Sequence, residues 1–256
     1  MDQDGLYEQS SFKRYNIRSN IDTKVTHDLT VSVDLAGRYE KIEDSSTGDA
    51  VFSTIINSKP TERAYVPDEI EKGALGSNGQ NTSPIGQADR SGYNKTDNSV
   101  FQGTIKGVYN VPFLEGLKVN ASFSYDRWFS RNKALTTPYE RIIDKYTKRK
   151  SGGGINLYEG TAEDERITTQ ASLTYDATFS QTHNVSALLL VEESSYKYSA
   201  LQGSRINYRT AAIDQLFAGP DLDKDNGGSE AQTTRRGYVG RVNYNYSGIY
   251  LLQFNF

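Results

Sequence analysis

The chain has 256 residues, enough for one or two soluble domains, yet only 36% are hydrophobic while 18 are Tyr and 10 are Phe. A mean hydropathy of -0.67 beside so many aromatics argues against a compact soluble core and suits strands whose alternate residues meet lipid and water. A net charge of -3 with scattered signs gives no basis for nucleic-acid binding, and the absence of cysteine excludes disulfides and thiolate sites.

The opening residues, Met1-Asp2-Gln3-Asp4-Gly5, carry neither a basic n-region nor an apolar h-region, so no signal peptide is expected here. The longest apolar run, Ala187 to Val191, is far short of the roughly 20 residues a spanning helix needs. From Arg14 to Asp22, Tyr15, Ile17, Ser19 and Ile21 alternate with polar residues, the period-2 pattern of a strand with two unlike faces. After Thr23–Asp28 the pattern restarts, with Leu29, Val31, Val33, Leu35, Gly37 and Tyr39 on one face. A third strand sets Phe101, Gly103, Ile105, Gly107 and Tyr109 together, and a fourth sets Leu117, Val119, Ala121, Phe123 and Tyr125 together.

The second half repeats the theme. Thr169, Ala171, Leu173 and Tyr175 share a face, as do Tyr238, Gly240, Val242, Tyr244 and Tyr246. Asn184 to Tyr198 alternates poorly because Leu188, Leu189, Leu190 and Val191 are consecutive. A last strand, Ile249 to Phe256, puts Tyr250, Leu252, Phe254 and Phe256 on one side. The expectation is about eight strands, most close to the roughly 9–11 residues that cross a bilayer at a tilt.

The connections between these strands alternate in length. Thr23–Asp28, Val111–Gly116, Thr178–His183 and Ser247–Gly248 are short; Lys41–Asn98, Arg131–Glu165 and Ala200–Thr234 are long. Outer-membrane barrels show this asymmetry, with tight periplasmic turns and long extracellular loops. With that orientation Tyr109, Tyr175, Tyr246 and Tyr250 fall near the periplasmic border, and Tyr15, Tyr39, Tyr125 and Phe129 near the outer one. These read as two aromatic girdles. Trp128 has the opposite parity from Phe129 and is expected at the lumen rim. Because the first and last connections are both short, the sequence is expected to be an arc of a larger barrel, with an unpaired strand edge at either end.

Particular strings carry a family resemblance. Phe12-Lys13-Arg14 followed by Tyr15-Asn16-Ile17-Arg18-Ser19-Asn20-Ile21-Asp22 resembles a strand of the SusC/RagA-type TonB-linked outer-membrane proteins. Gly116-Leu117-Lys118-Val119 leading into Ala121-Ser122-Phe123-Ser124-Tyr125 is similar to a turn and strand of that family. Asp214-Gln215-Leu216-Phe217-Ala218-Gly219 and Tyr238-Val239-Gly240-Arg241-Val242-Asn243-Tyr244-Asn245-Tyr246 resemble two more of its segments. The family's Arg-x-Asp-Gly-Ser strand end does not follow Tyr250-Leu251-Leu252.

The resemblance implies an all-β, antiparallel transmembrane β-barrel segment, residues 1–256 forming part of a barrel of about 22 strands with a plugged lumen. It also implies a bacterial outer-membrane location and active import of glycans or peptides. Implied partners are a SusD-like surface lipoprotein, the TonB complex acting through a plug region and TonB box absent from this stretch, and outer-membrane lipid.

Candidate chemistry is sparse. Arg14, Arg18, Asp22, Asp34, Arg38, Glu40, Lys106, Lys118, Asp126, Asp176 and Arg241 take the polar parity; they could line a substrate path, but a solvated or plug-facing network is the plainer reading. Asp221 to Gly227 begins like a calcium loop but has Asn226 where Gly is needed and Gln232 where Glu is needed. Gly152-Gly153-Gly154, after the basic run Lys145 to Lys150, lacks the Gly-Lys-Ser/Thr ending of a phosphate loop. His27 and His183 are far apart in predicted periplasmic turns. No catalytic, cofactor-binding or metal-binding residue is assigned, no cofactor is expected, and substrate-binding residues stay open; the chain is read as a non-enzyme. Two other readings are a small self-contained adhesin or structural barrel, and a soluble β-rich carbohydrate-binding domain.

Overall fold

A computed structural model of the chain describes residues 1–77, 82–144 and 147–256. Its main body is one antiparallel sheet built from β1 (Asp2–Asp4), β2 (Ser11–Lys24), β3 (Leu29–Ser45), β4 (Gly92–Asn110), β5 (Leu117–Thr136), β8 (Ile155–Phe179), β9 (His183–Tyr208), β10 (Lys224–Tyr246) and β11 (Tyr250–Asn255). Neighbours in sequence are neighbours in space, in the order β1-β2-β3-β4-β5-β8-β9-β10-β11. A separate hairpin of β6 (Tyr139–Asp144) and β7 (Thr147–Ser151) interrupts the β5–β8 connection. All eight strands expected from alternation are present; β1, a short addition against Ser11–Lys13, was not foreseen.

The pairing register shows why the sequence takes this form. Tyr15 lies opposite Tyr39, Ile21 opposite Val33, and Val33 opposite Ile105. Ile105 faces Phe123, Val119 faces Leu173, Leu173 faces Leu189, and Val242 faces Phe254. Directly opposed residues share a face, so every apolar set identified by alternation lies on the same side of the sheet. The consecutive leucines fit the pattern: Leu189 and Val191 pair within the apolar face, whereas Leu190 pairs with Val239 on the other side and forms a local apolar spot there.

Along the apolar face no charged residue occurs between Leu29 and Tyr39, Tyr109 and Phe101, Leu117 and Tyr125, Tyr175 and Ile167, or Tyr246 and Tyr238. Charges begin just beyond, with Lys41, Arg127, Glu165, Glu193 and Arg236 the next residues of this face and Asp97 following Ser99 on β4. The long-loop limit of this band moves down the ladder from Tyr39 on β3 to Val191 on β9. It therefore runs obliquely to the rungs, as it must where strands are tilted and staggered. The charge-free stretch is nine to eleven residues long on each of these strands.

Aromatics mark both borders. At the long-loop border Tyr15 stacks on Tyr39 with centroids 6.4 Å apart and Phe101 meets Tyr125 at 6.2 Å. Tyr39 and Tyr125 donate hydroxyl hydrogen bonds to Asp97 (2.9 Å) and Glu165 (3.0 Å) just beyond. At the short-turn border His183 lies 5.0 Å from Tyr246, which stacks on Tyr250 at 6.3 Å. Phe129 departs from expectation, since it stands beyond Arg127, whose guanidinium lies 5.8 Å from its ring centroid.

Large apolar side chains of the band are open: Ile17 is 75% exposed and Ile105 54%. Among the described residues no second sheet or helix covers them. Apart from Val111 in a short turn, the buried apolar residues, Val51, Leu75, Leu135, Ile142, Leu157 and Tyr208 among them, sit instead at the long-loop end.

The short connections are as expected, 25–28, 111–116, 180–182 and 247–249, but the long ones shrink to 46–91, 137–154 and 209–223. Strands β3, β4, β5, β8, β9 and β10 run well past the band, with β9 reaching 26 residues. The charge-free face ends there, so alternation fades while the backbone ladder continues. In this upper part the ladder carries a register shift between Ile155 and Leu157. The connections are also not featureless. α1 (Ala50–Asn57), a π turn at Gly86–Arg90 and the β6–β7 hairpin pack together, with the Ile142 amide donating to the Leu75 carbonyl at 2.8 Å.

Candidate functional site

All eleven charged residues assigned to the polar parity lie on the polar face. At the height of the band this face carries neutral cross-strand bonds: Asn120 Nδ2 donates to Ser172 Oγ at 3.2 Å, and Thr104 and Ser124 hydroxyls meet at 2.9 Å. Toward β2, Glu40 lies 3.6 Å from Arg14 and 3.4 Å from Arg38, so these charges pair with each other. This fits the plainer reading of a solvated polar network.

Higher on the same face two contiguous hollows open. The lower, about 380 Å³, is lined by Trp128, Tyr196, Gln102, Asp126, Asp164 and Arg166 among others. Trp128 thus takes the polar face, as its parity predicts. The Tyr196 hydroxyl donates to Asp164, and the Arg166 guanidinium sits 5.5 Å from the Tyr196 ring centroid. The upper hollow, about 450 Å³, has a floor of small side chains. One rung runs Ser130, Ala162, Ala200, Ser229 across four strands, and the next runs Asn132, Gly160, Gln202, Gly227. Tyr198 flanks this floor on the band side and Tyr158 on the loop side. Alternation analysis missed Tyr158, Tyr196 and Tyr198: Tyr158 falls in the stretch read as a loop, and the others follow the leucine run. Their shared parity with Trp128 along β8 and β9 was the available signal.

On the opposite face, above the charge-free band, the 209–223 connection is tied down. Leu216 and Ala211 pack on Leu135, Leu157 and Tyr208, and the Tyr208 hydroxyl donates to the Gln215 carbonyl at 3.1 Å. Asp214 accepts from the Tyr93 hydroxyl and lies 3.4 Å from Lys133 Nζ. The Tyr93 hydrogen bond, helped by the Lys133 charge, holds the Asp214 carboxyl below its ordinary value. Burial, then the Asp214 carboxylate, pushes the Tyr93 phenol well above its usual range.

Other sequence features carry no site. His27 is exposed and lies 3.0 Å from Asp28; His183 Nδ1 is 2.7 Å from the Tyr244 hydroxyl at the same short-turn end. Asp221 and Asp223 engage Arg205 (3.3 Å) and Asn207 (3.1 Å), and residues from Lys224 onward are strand. Among the described residues no group of three or more metal-ligating side chains occurs. Gly152–Gly154 joins β7 to β8, and Lys145 of the basic run lies outside the described residues.

No protein-family model matches the chain, and no curated protein matches it. Solved structures do. One described as the RagAB peptide transporter aligns with a TM-score of 0.73 at 15% identity, covering 96% of this chain and 27% of that one. The RagAB peptide importer in its closed-closed and in its open-open states aligns with a TM-score of 0.72 at 16% identity, covering 99% of this chain and 28% of the other in each case. The chain therefore shares the fold of the matched part of those structures, and it spans little more than a quarter of their length.

Proposed function

We propose that the chain is part of the wall of a bacterial outer-membrane nutrient importer of the TonB-dependent kind. The carrying observation is the uncovered, charge-free apolar band with aromatic borders, opposite a polar face. Soluble monomers rarely expose an apolar surface of that extent. At the tilt of about 40° usual in outer-membrane barrels, nine to eleven residues span roughly 25 Å, the height of such a barrel's apolar band. In this reading residues 1–256 form an arc of a barrel of about 22 strands with its polar face toward a plugged lumen. The plug region would couple to TonB, a SusD-type lipoprotein would close over the long-loop end, and the cargo would be an oligosaccharide or peptide. The likeness to a peptide transporter supports the transporter class and, at 15% identity, not a particular cargo.

The cysteine-free sequence permits a direct test. Single variants Ile105→Cys, Phe123→Cys, Thr104→Cys and Ser124→Cys would be produced in the outer membrane of intact cells and exposed to a small water-soluble maleimide. Thr104→Cys and Ser124→Cys are expected to label, whereas Ile105→Cys and Phe123→Cys stay protected until detergent is added. Equal labelling of both sets would overturn the wall reading.

A further inference from the structure

The upper hollow differs chemically from the rest of the polar face. None of its lining residues carries a charge, whereas Asp126, Asp164 and Arg166 enter the hollow below. One rung of its floor is Ser130, Ala162, Ala200 and Ser229, and on the next Gly160 and Gly227 alternate with the amides Asn132 and Gln202. Four strands set side by side give it a width of about 14 Å.

Over this floor lies a fixed aromatic plate. The phenolic half of the Tyr158 ring rests above Gly160, where an added Cβ would come within 2.6 Å of the hydroxyl and 3.1 Å of the adjoining ring carbon. The ring lies along the sheet because position 160 has no side chain. Its hydroxyl donates to Gln202 Oε1 at 3.0 Å, which pins the ring, and Gln202 itself leans over Gly227, with Nε2 3.2 Å from where a Cβ would be. Gly160 and Gly227 are therefore the clearance that lets an aromatic face and a carboxamide be held flat in an open trough. Such a plate has paid its ordering cost before any ligand arrives.

The geometry points to a binding subsite for a short neutral oligosaccharide segment, stacked on Tyr158 and hydrogen-bonded by the Asn132, Gln202, Ser130 and Ser229 side chains. A sugar ring offers a flat apolar face to the aromatic plate and uncharged hydroxyls to amides and serines. A peptide fits less well: the sheet offers side chains here and no free strand edge for main-chain pairing, and no charge in the trough answers a peptide terminus. This assignment rests on the importer reading and narrows its cargo.

The test uses the full-length protein in outer-membrane preparations. Binding of maltohexaose, cellohexaose, xylohexaose and an inulin-type hexamer is titrated beside a tryptic peptide digest. At least one neutral oligosaccharide is expected to bind, with Tyr158→Ala weakening it about tenfold. Gly160→Val, which displaces the ring without touching its chemistry, is expected to weaken it similarly, while Tyr158→Phe keeps most of the affinity. Maleimide labelling at positions 104 and 105 is run on every variant. With that pattern intact, failure of all four oligosaccharides to bind, binding only by peptides, or indifference to Tyr158→Ala would each overturn the subsite and leave the wall standing. Loss of the pattern in the unsubstituted protein would overturn both.

Discussion

At the scale of single residues, Asp214 carries the clearest pH dependence. Its folded carboxyl is held below the ordinary 3.8, first by the Tyr93 hydroxyl and then by Lys133. A depressed carboxyl stabilises the docked connection above its unfolded value and loses that contribution as pH falls through the folded value. Tyr93 has the opposite sign: its phenol is raised above 10.0, so its contribution is whole below that value and lost as pH climbs through the folded one. With 40% of the Asp214 side chain open to solvent, the energy involved is modest. Hydrogen-exchange protection of residues 211–219, corrected for intrinsic rates, should hold from neutral pH down to 3.8 and decline below it. Asp214→Asn should lower that protection at neutral pH and flatten the acid limb. Unchanged protection in the variant would mean that the apolar contacts of Leu216 and Tyr208 hold the connection alone.

At the scale of elements, the β4–β5 turn depends on one glycine. Gly116 has φ +87, and a Cβ there would come within 2.0 Å of the Asp176 carbonyl oxygen on β8. Gly116→Ala therefore meets both a strained backbone and a neighbouring strand, and should destabilise the sheet by about 1–3 kcal/mol. Gly107→Ala, where nothing lies within 4 Å, is the matched control and should be near neutral. Denaturant midpoints in lipid would separate them. The strands themselves were legible wherever the two faces meet different surroundings, since only that contrast writes a period of two into the sequence. Above Tyr39, Tyr125 and Val191 charged, polar and apolar residues mix on both faces, so β3, β5 and β9 continue without a trace in the alternation. The docked 209–223 connection was illegible for another reason: its partners Tyr93, Lys133, Leu135 and Leu157 come from distant strands. The upper hollow was hidden because Gly160, Ala162 and Ala200 read as unremarkable small residues until rungs from four strands are set side by side.

At the scale of the whole molecule, the band replaces a core. Among the described residues no second layer covers the apolar side chains of the band, so in the proposed membrane setting lipid supplies their burial and a charge among them is penalised by depth. Ile105 stands midway between Tyr109 and Phe101 on β4. Ile105→Lys should cost about 2–4 kcal/mol in a bilayer. Thr104→Lys, one residue away on the polar face, should change stability by about 0.5 kcal/mol. Equal penalties would contradict a lipid-facing band. The same division bears on how such a chain can change length over generations. The register shift at Ile155/Leu157 lies above the charge-free band, where the strands end against the docked 209–223 connection and no membrane-facing set has to stay in phase. Between the aromatic borders a one-residue slip would carry a strand's apolar set to the polar side. Single-residue insertions and deletions should accumulate in the upper ladders of β8 and β9 and be purged from the band, so kin of this chain would differ in height above the membrane while keeping its thickness.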